Sequence, residues 1–291
     1  MKNKEKLENE LFIKKNNFLA VFGKLYMLIQ KSYFKNVRGP LFTYVVPIFF
    51  TVMLYLLFKD TFNKGNPASA LLGYFALPSL WVIVSLSSTI VEWKNSIFLK
   101  RVETTGINKP LFITTIALFY FMVTWTGVIV ELIVGFSLDS EHAKILYKEM
   151  NWGYFFLAVC MLILVAISIG ILLGGLMNDE GLSQGVSLII YFICMFFSGI
   201  MLDPRLYEGT EGLRIFTYFV PLKYPVAILL FSQYQKGSWD TAGFNIGRWD
   251  ERETPLFKDF TQTWQPVLGS ILIISTLFTL GIFMFRWHKS R

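Results

Sequence analysis

Charge is what this sequence has least of. Charged residues make up 16% of the 291 residues, against about 25% in a typical soluble domain. Hydrophobic residues make up 54%, with 29 Phe and 8 Trp. This balance excludes an ordinary soluble domain and indicates an integral membrane protein. The net charge is +7, but nine of the Lys and Arg residues precede Pro40. Anionic lipid headgroups explain this distribution better than nucleic acid does.

Residues that bind metals or carry out nucleophilic catalysis are also few. Cys160 and Cys194 lie inside apolar runs, without the spacing of a metal site or a disulfide framework. The sequence has two histidines, no HExxH motif and no GxxxxGK[ST] phosphate loop. A GLSQG string at 181–185 fits GxSxG, but a nucleophile elbow needs a preceding strand, and apolar runs flank it here. We expect no catalytic residue, metal site or nucleotide site in this chain.

Six apolar runs are long enough to cross a bilayer, which takes roughly 20 residues as a helix. They predict spans at about 41–58, 68–91, 111–138, 151–177, 183–202 and 261–285. Backbone polar groups cannot stay unpaired in lipid, so all six are expected to be helices. The predicted fold class is therefore an all-α integral membrane protein.

Lys and Arg predict the orientation of the spans, because cytoplasmic loops carry an excess of them. Segment 1–40 holds nine, 92–110 holds four and 286–291 holds three, whereas the two short loops on the other side hold four together. Both termini and 92–110 are thus predicted to be cytoplasmic. We divide the chain into a cytoplasmic N-terminus, 1–38, and a six-helix transmembrane domain, 39–291.

The end of the N-terminal segment, residues 16–38, predicts an amphipathic helix on the membrane surface. Its apolar residues recur at helical spacing: Phe18, Phe22, Leu25, Leu28 and Ile29. Its basic residues lie elsewhere on the helical wheel: Lys24, Lys31 and Lys35. Such a helix is also free to contact a partner protein.

Segment 203–260, after the fifth span, combines an apolar stretch with helix breakers. Residues 213–234 are apolar enough to enter the membrane, but Pro221 and Pro225 interrupt them, and proline breaks helices. We predict two short helices that re-enter the outer leaflet, with a polar extracellular loop at 236–259. An ordinary extracellular helix pair on the headgroups is the alternative.

Two features inside the spans have a structural and a functional interpretation. Gly170 and Gly174 form a GxxxG pair, which allows helices to approach closely; a contact within the chain is favoured over a dimer seam. Glu131 is the only acidic residue in an apolar run, and charge within the membrane is costly. A snorkelling or paired structural carboxylate is favoured over a substrate or proton site.

The polar strip 92–110, EWKNSIFLKRVETTGINKP, lies between two spans. Charged and apolar residues alternate along it, as in an amphipathic element at a membrane surface. Its charged residues are Glu92, Lys94, Lys100, Arg101, Glu103 and Lys109. Such an element suits docking of a soluble partner.

Four strings together resemble the permease subunit of an ABC-2 type ATP-binding-cassette exporter, a type V exporter. They are NVRGP at 36–40, FLKRVETTGINKP at 98–110, FFSGIMLDP at 196–204 and LRIFTYFVPLKYPV at 213–226. They occur in the family's order and cover most of the chain. Gly106 stands where many members have proline, and the loop at 236–259 is longer than usual.

The resemblance implies a multi-pass transport subunit of the plasma membrane that binds no cofactor itself. Two ABC ATPase subunits, encoded separately, would carry ATP and Mg and bind at the cytoplasmic face. A second copy of the chain, or a homologous permease, would complete the pore. The polar contacts to the ATPase are assigned to Glu92, Lys94, Lys100, Arg101 and Glu103.

The resemblance also assigns the remaining sites. The interfacial helix would meet the ATPase through Phe22, Lys24, Lys31 and Arg38. The second and fifth spans would line the cargo path with Ser85, Ser88, Tyr191, Met195 and Phe196. The re-entrant segment would turn at Pro221 and Pro225.

Two other classes remain open from the residues alone. An ion-coupled secondary carrier predicts several ionisable residues near the midplane and inverted repeats, but only Glu131 lies inside a span. A lipid-modifying membrane enzyme predicts a cluster of His, Asp or Glu at one interface, and the turn at 177–184 offers only Asp179 and Glu180. Lipid, polysaccharide, drug and peptide cargoes are all compatible with the sequence.

Overall fold

The computed structural model describes residues 20–62, 73–201, 210–232, 260, 262–285 and 287. Every regular element within these ranges is helical, which confirms the all-α prediction for them. The predicted extracellular loop at 236–259 and Phe18, at the start of the predicted amphipathic helix, lie outside the described residues.

Eleven helices form within the described ranges. We number them α1 (20–35), α2 (Val46–Phe62), α3 (Leu77–Asn95), α4 (Ile97–Thr104), α5 (Lys109–Leu138), α6 (Ser140–Glu149), α7 (Trp152–Leu176), α8 (Glu180–Phe197), α9 (Glu211–Thr217), α10 (Lys223–Ser232) and α11 (Trp264–Met284). A helical turn, Arg38–Pro40, and a stretch of π-helix, Leu41–Val45, lead directly into α2; we call residues 38–62 the α2 region.

Local sequence explains where several helices begin. The Asn151 side chain accepts hydrogen bonds from the N–H groups of Gly153 and Tyr154 at the start of α7. The Asp179 side chain accepts one from Leu182 N–H at the start of α8. Such N-caps satisfy N–H groups that have no partner within the helix. α3 and α5 instead begin with a proline in the first turn, where the missing N–H is harmless.

Four helices are long and apolar enough to cross a membrane by length and composition: α5, α7, α8 and α11. The first predicted span appears as a shorter apolar helix, Leu41–Leu57. α3, which corresponds to the second predicted span, has 19 residues. Glu92 and Lys94 lie in its last turn and reduce its apolar length. These helices support a multi-pass membrane protein.

Side-chain contacts give the relative directions of the helices. α2 and α5 are parallel, because Tyr44, just before α2, bonds Thr126 in the middle of α5, whereas the later residue Tyr55 bonds Asp139, just after the end of α5. α3 and α8 are antiparallel, since Ser87 meets Ser187 whereas the earlier Trp81 meets the later residue Tyr191.

α7 is the central helix, packed between α3, α10 and α11. A Cβ atom added at Gly170 would lie 3.2 Å from Leu86 Cβ, and one added at Gly174 would lie 2.8 Å from Ile90 Cβ. The predicted intrachain role of this glycine pair is confirmed. α3 and α7 are therefore parallel, and α11 is parallel to them, because Gly281 meets Ile171 and Phe285 meets Gly175.

These directions bring the C-terminal ends of α3, α7 and α11 to the same end of the bundle as the start of α8. Phe112, near the start of α5, also packs there against Trp93 and Phe285. We call this the α4 end, because α4 follows α3 directly. It corresponds to the face predicted to be cytoplasmic.

The described part of the segment after the fifth span contains two short helices, α9 and α10, in agreement with the proline spacing. Pro221 lies in the turn between them and Pro225 in the first turn of α10. α10 is buried against α7: Asn151 N–H donates to Ser232 O at 2.7 Å, and the Tyr154 and Phe231 rings are 5.0 Å apart.

Candidate functional site at the α4 end

α4 is a separate amphipathic helix created by a break at Ser96. The Ser96 backbone is extended, its Oγ accepts from Phe98 N–H at 3.1 Å, and the same hydroxyl donates to Trp93 O at 2.9 Å. One serine thus ends α3 and begins α4. Glycine closes α4, because Gly106 has a positive φ of 73°, which glycine adopts without strain.

The two faces of α4 differ sharply in exposure. Leu99 and Val102 are buried, whereas Lys100 and Arg101 are exposed. Ile97, at the start of the helix, is also exposed. The apolar side of α4 fixes it to the bundle, and the exposed side offers two cations and one large apolar side chain to another molecule.

The five predicted coupling residues do not share one surface. Lys100 and Arg101 lie on the exposed face of α4, and Glu103 is half-buried. Glu92 and Lys94 lie in the last turn of α3 rather than in a loop, because the α3 helix continues to Asn95. Glu92 is half-buried and accepts a hydrogen bond from Asn36.

Lys94 is buried, with 4% of its surface exposed. Its Nζ donates to Gly175 O at 2.6 Å and to Met177 O at 3.1 Å. Nζ also lies 5.8 Å from the centroid of the Phe285 ring. The carbonyls at the end of α7 have no partner within the helix and carry partial negative charge, so they form a suitable acceptor for an ammonium group.

The amphipathic helix α1 packs on the bundle through Leu25, Ile29 and Tyr33, which are all buried. Phe22 is half-buried, and Lys24 and Lys31 are exposed, as the helical wheel predicts. Leu28, which we predicted on the same apolar side, is 46% exposed, because the four-residue spacing from Leu25 selects Ile29 instead. The Arg38 side chain lies outside the part that the structure describes.

Polar contacts tie α1 to α3 and to the start of the α2 region. Trp93 Nε1 donates to Ser32 Oγ at 3.1 Å, and Tyr33 OH donates to Thr43 Oγ1 at 2.7 Å. The Tyr33 ring also packs edge-on against Phe119 and Tyr120 of α5. Burial raises the pKa of the Tyr33 hydroxyl, which therefore remains a hydrogen-bond donor. α1, α3 and α4 are thus one connected assembly.

The predicted cargo-path residues lie on α3 and α8, which face each other. Tyr191, Met195 and Ser85 are buried, while Ser88 and Phe196 are half-buried. The sequence reasoning missed Trp81, whose ring centroid lies 4.4 Å from that of Tyr191. It also missed the 2.7 Å hydrogen bond between Ser87 and Ser187. The recurrence of serine along two apolar helices was the sequence feature that could have indicated this contact.

Buried polar atoms without hydrogen bonds to other described residues include Trp81 Nε1 and Ser88 Oγ on α3 and Tyr191 OH on α8. Buried polar groups in native proteins are almost always hydrogen-bonded. A polar group from a passing molecule, or from water, would satisfy them.

Glu131 is 1% exposed, and neither carboxyl oxygen has a hydrogen-bond partner among the described residues. Thr51 of α2 interacts with it only outside normal hydrogen-bond geometry. The described residues contain no group of His, Cys, Asp and Glu that could hold a metal.

The long apolar helices and the separate amphipathic α4 are those of a multi-pass helical membrane protein. A family model described as ABC-2 family transporter protein matches residues 65–285, and the chain belongs to that family. Its members are permease subunits of ABC transporters, and they typically work with ABC ATPase subunits. No curated protein matches the chain.

Proposed function

We propose that this protein is the permease subunit of an ATP-driven exporter in the plasma membrane. Two permeases, either two copies of this chain or one with a homologue, form the pore. Two ABC ATPase subunits, which bind ATP and Mg, dock at the α4 end. Both termini lie in the cytoplasm, and six helices cross the membrane: the α2 region, α3, α5, α7, α8 and α11.

The observation that carries this proposal is the division of α4 into two faces. Leu99 and Val102 hold it to the bundle, so a force applied at Lys100 and Arg101 reaches α3 without first deforming a loop. An ATPase acts on the permease only if it contacts these residues differently in its open and closed states.

Helix directions support six crossings, because the contacts of the α2 region, α3, α5, α7, α8 and α11 fit an alternating up-and-down path. The α9–α10 pair supports re-entry into the outer leaflet. The backbone of Leu222, in the turn between them, lies against the Cys194 thiol of α8, which is three residues before the last residue of that helix. Phe197 and Phe216 pack at 5.2 Å nearby.

The cargo path is proposed to follow the α3–α8 interface. Trp81 and Tyr191 supply aromatic surface, and Ser88 adds a half-buried hydroxyl group. Apolar walls with a few polar atoms suit an amphipathic or lipidic cargo. Separation of α3 from α8 would open this surface and break the Ser87–Ser187 hydrogen bond.

Affinity capture of the tagged permease from its native membrane, followed by reconstitution in proteoliposomes, tests the proposal. An ABC ATPase is expected to co-purify, and its ATP hydrolysis is expected to exceed that of the same ATPase reconstituted without permease. Capture without any ATPase, or hydrolysis that is indifferent to the permease, would overturn it.

An ion-coupled carrier is the second candidate, and Glu131 is the observation that favours it. A buried carboxyl group without a hydrogen-bond partner among the described residues suits a proton or cation site. Such a carrier works without an ATPase, so the same reconstitution separates the two candidates.

A further inference from the structure

Lys94 is the only one of the five predicted coupling residues whose side chain is buried in the bundle. We propose that Lys94 is a positioning residue that passes a displacement of α4 to the cytoplasmic ends of α7 and α8. The inference rests on the proposed function for the source of the displacement, an ATPase bound to α4. The link itself is a property of this chain and can be measured without the ATPase.

Lys94 lies next to the boundary between α3 and α4. It precedes the break at Ser96 by two residues, so it is on the last rigid turn before α4. Trp93, beside it, packs against Phe98 of α4 with ring centroids 4.8 Å apart. A tilt of α4 therefore acts first on the turn that carries Lys94.

The contacts of Lys94 lead away from α3. Its ammonium group spans two carbonyls on either side of the end of α7, those of Gly175 and Met177. Asn95 Nδ2 adds a longer bond of 3.4 Å to Asn178 O. Residues 177–179 are all that separates α7 from α8, and α8 lines the proposed cargo path. The end of α3 thus holds the α7–α8 turn directly.

The same contacts reach α11. A Cβ atom at Gly175 would lie 3.6 Å from the Phe285 backbone, and Phe285 presents its ring to the Lys94 ammonium. α3, α7 and α11 therefore converge on one side chain at the α4 end. Displacing Lys94 changes the position of all three helix ends together.

Few side chains satisfy these demands. The hydrogen-bond acceptors are backbone carbonyls, whose positions are fixed by the ends of the helices. A buried ammonium group also needs hydrogen bonds to be stable in the protein interior. Methionine has a similar length and fills the same space, but it cannot donate a hydrogen bond. Arginine keeps the charge and the donors, although its planar fork differs from a lysine ammonium.

The test measures the distance distribution between spin labels on α4 and on the end of α7. Labels are placed through Thr104→Cys and Leu176→Cys, both exposed positions, in a background with Cys160→Ala and Cys194→Ala. The permease alone, in nanodiscs, is compared as wild type, Lys94→Met and Lys94→Arg. Lys144→Met, at an exposed position of α6, is the matched control for loss of a lysine.

Lys94→Met is expected to broaden the distance distribution, because α4 and α7 then move independently. Lys94→Arg and Lys144→Met are expected to keep it narrow. With the captured ATPase, Lys94→Met is expected to lower permease-stimulated hydrolysis about fivefold or more, the scale of a coupling free energy, while ATPase capture and thermal midpoint persist. Rescue by Lys94→Arg separates positioning from general stability.

A Lys94→Met variant with a wild-type distance distribution and wild-type stimulation would overturn the inference. If this variant cannot be purified as a monodisperse protein, Lys94→Gln, a shorter donor without charge, is judged by the same criteria. If the wild type captures no ATPase, the proposed function fails, yet the distance distributions of the permease alone still decide whether Lys94 joins α4 to α7.

Discussion

Asn36 and Glu92 join α1 to α3. Asn36 Nδ2 donates to Glu92 Oε2 at 2.8 Å, linking the residue after α1 to the last turn of α3. Trp93, the next residue, donates to Ser32 of α1. The end of α3 next to α4 is therefore held on one side by α1 and on the other by α7.

Loss of the Glu92 carboxylate is expected to loosen α1. A hydrogen bond to a charged group contributes about 1.5–3 kcal/mol when buried, and partial exposure reduces that to about 1 kcal/mol here. We expect Glu92→Ala to speed hydrogen exchange of the α1 amides and to lower ATPase stimulation. Glu92→Gln, which keeps an acceptor, should have a smaller effect, and Gln30→Ala, on the exposed side of α1, should have none. Unchanged exchange in Glu92→Ala would contradict the link.

The exposed cations of α4 carry the next prediction. Reversing both charges, Lys100→Glu with Arg101→Glu, places two negative charges where the ATPase is proposed to bind. We expect stimulation of ATP hydrolysis to fall about tenfold or more, since like charges across an interface cost several kcal/mol. The thermal midpoint of the permease alone should not change, because both side chains are exposed.

The control for this reversal is Lys144→Glu with Lys148→Glu. Both lysines are exposed on α6, which follows the opposite end of α5. This variant also replaces two cations by two anions but should leave ATPase stimulation intact. Equal loss of stimulation in both variants would show that net charge, rather than the α4 surface, governs the effect.

The glycine pair of α7 gives a prediction that concerns stability alone. A Cβ atom at Gly174 would lie 2.8 Å from the Ile90 Cβ, whereas one at Gly185 meets nothing within 4 Å. Gly174→Ala must therefore push α3 away from α7, and overpacking of this kind costs about 1–3 kcal/mol. Gly185→Ala, on an exposed face of α8, should be neutral or slightly stabilising because alanine favours helix. Thermal midpoints in one detergent would compare them, and equal midpoints would contradict the close contact.

Sequence periodicity predicted the helices well. It could not tell which side chains near the helix ends are exposed and which are buried. Lys94 and Lys100 look alike in the sequence, as basic residues in one polar strip. Ser96 separates them, because its cap ends one helix and starts another in a new direction. The acceptors of Lys94 are carbonyls 81 and 83 positions away, and no local pattern encodes such a contact.

Only part of the α3–α8 interface could be predicted from the sequence. The family resemblance named the second and fifth spans, and the structure shows that the corresponding helices, α3 and α8, face each other; Tyr191 was selected from their aromatic content. Trp81 and Ser187 were not selected, because their significance depends on the register between two antiparallel helices. Register follows from packing over the whole interface, rather than from either helix alone.

Glu131 separates the two candidate functions. Its carboxyl oxygens have no hydrogen-bond partner among the described residues, so Glu131→Met replaces an unsatisfied polar group by an apolar one of similar length. An unsatisfied buried polar group costs about 1–3 kcal/mol, and we expect the substitution to raise the free energy of unfolding by that amount. Asp139→Leu is the matched control at the same α2–α5 interface. Asp139 accepts a hydrogen bond from Tyr55 OH at 2.9 Å, so its loss should lower stability.

Activity then decides the role of Glu131. In an ATP-driven exporter the carboxyl group is dispensable, and Glu131→Met should retain permease-stimulated ATP hydrolysis while gaining thermal stability. In an ion-coupled carrier the same variant should lose gradient-driven flux although it folds more stably. A stabilised variant that keeps stimulated hydrolysis would make Glu131 a structural residue. A stabilised variant without that hydrolysis would place the carboxyl group in the transport cycle, since unfolding cannot account for the loss.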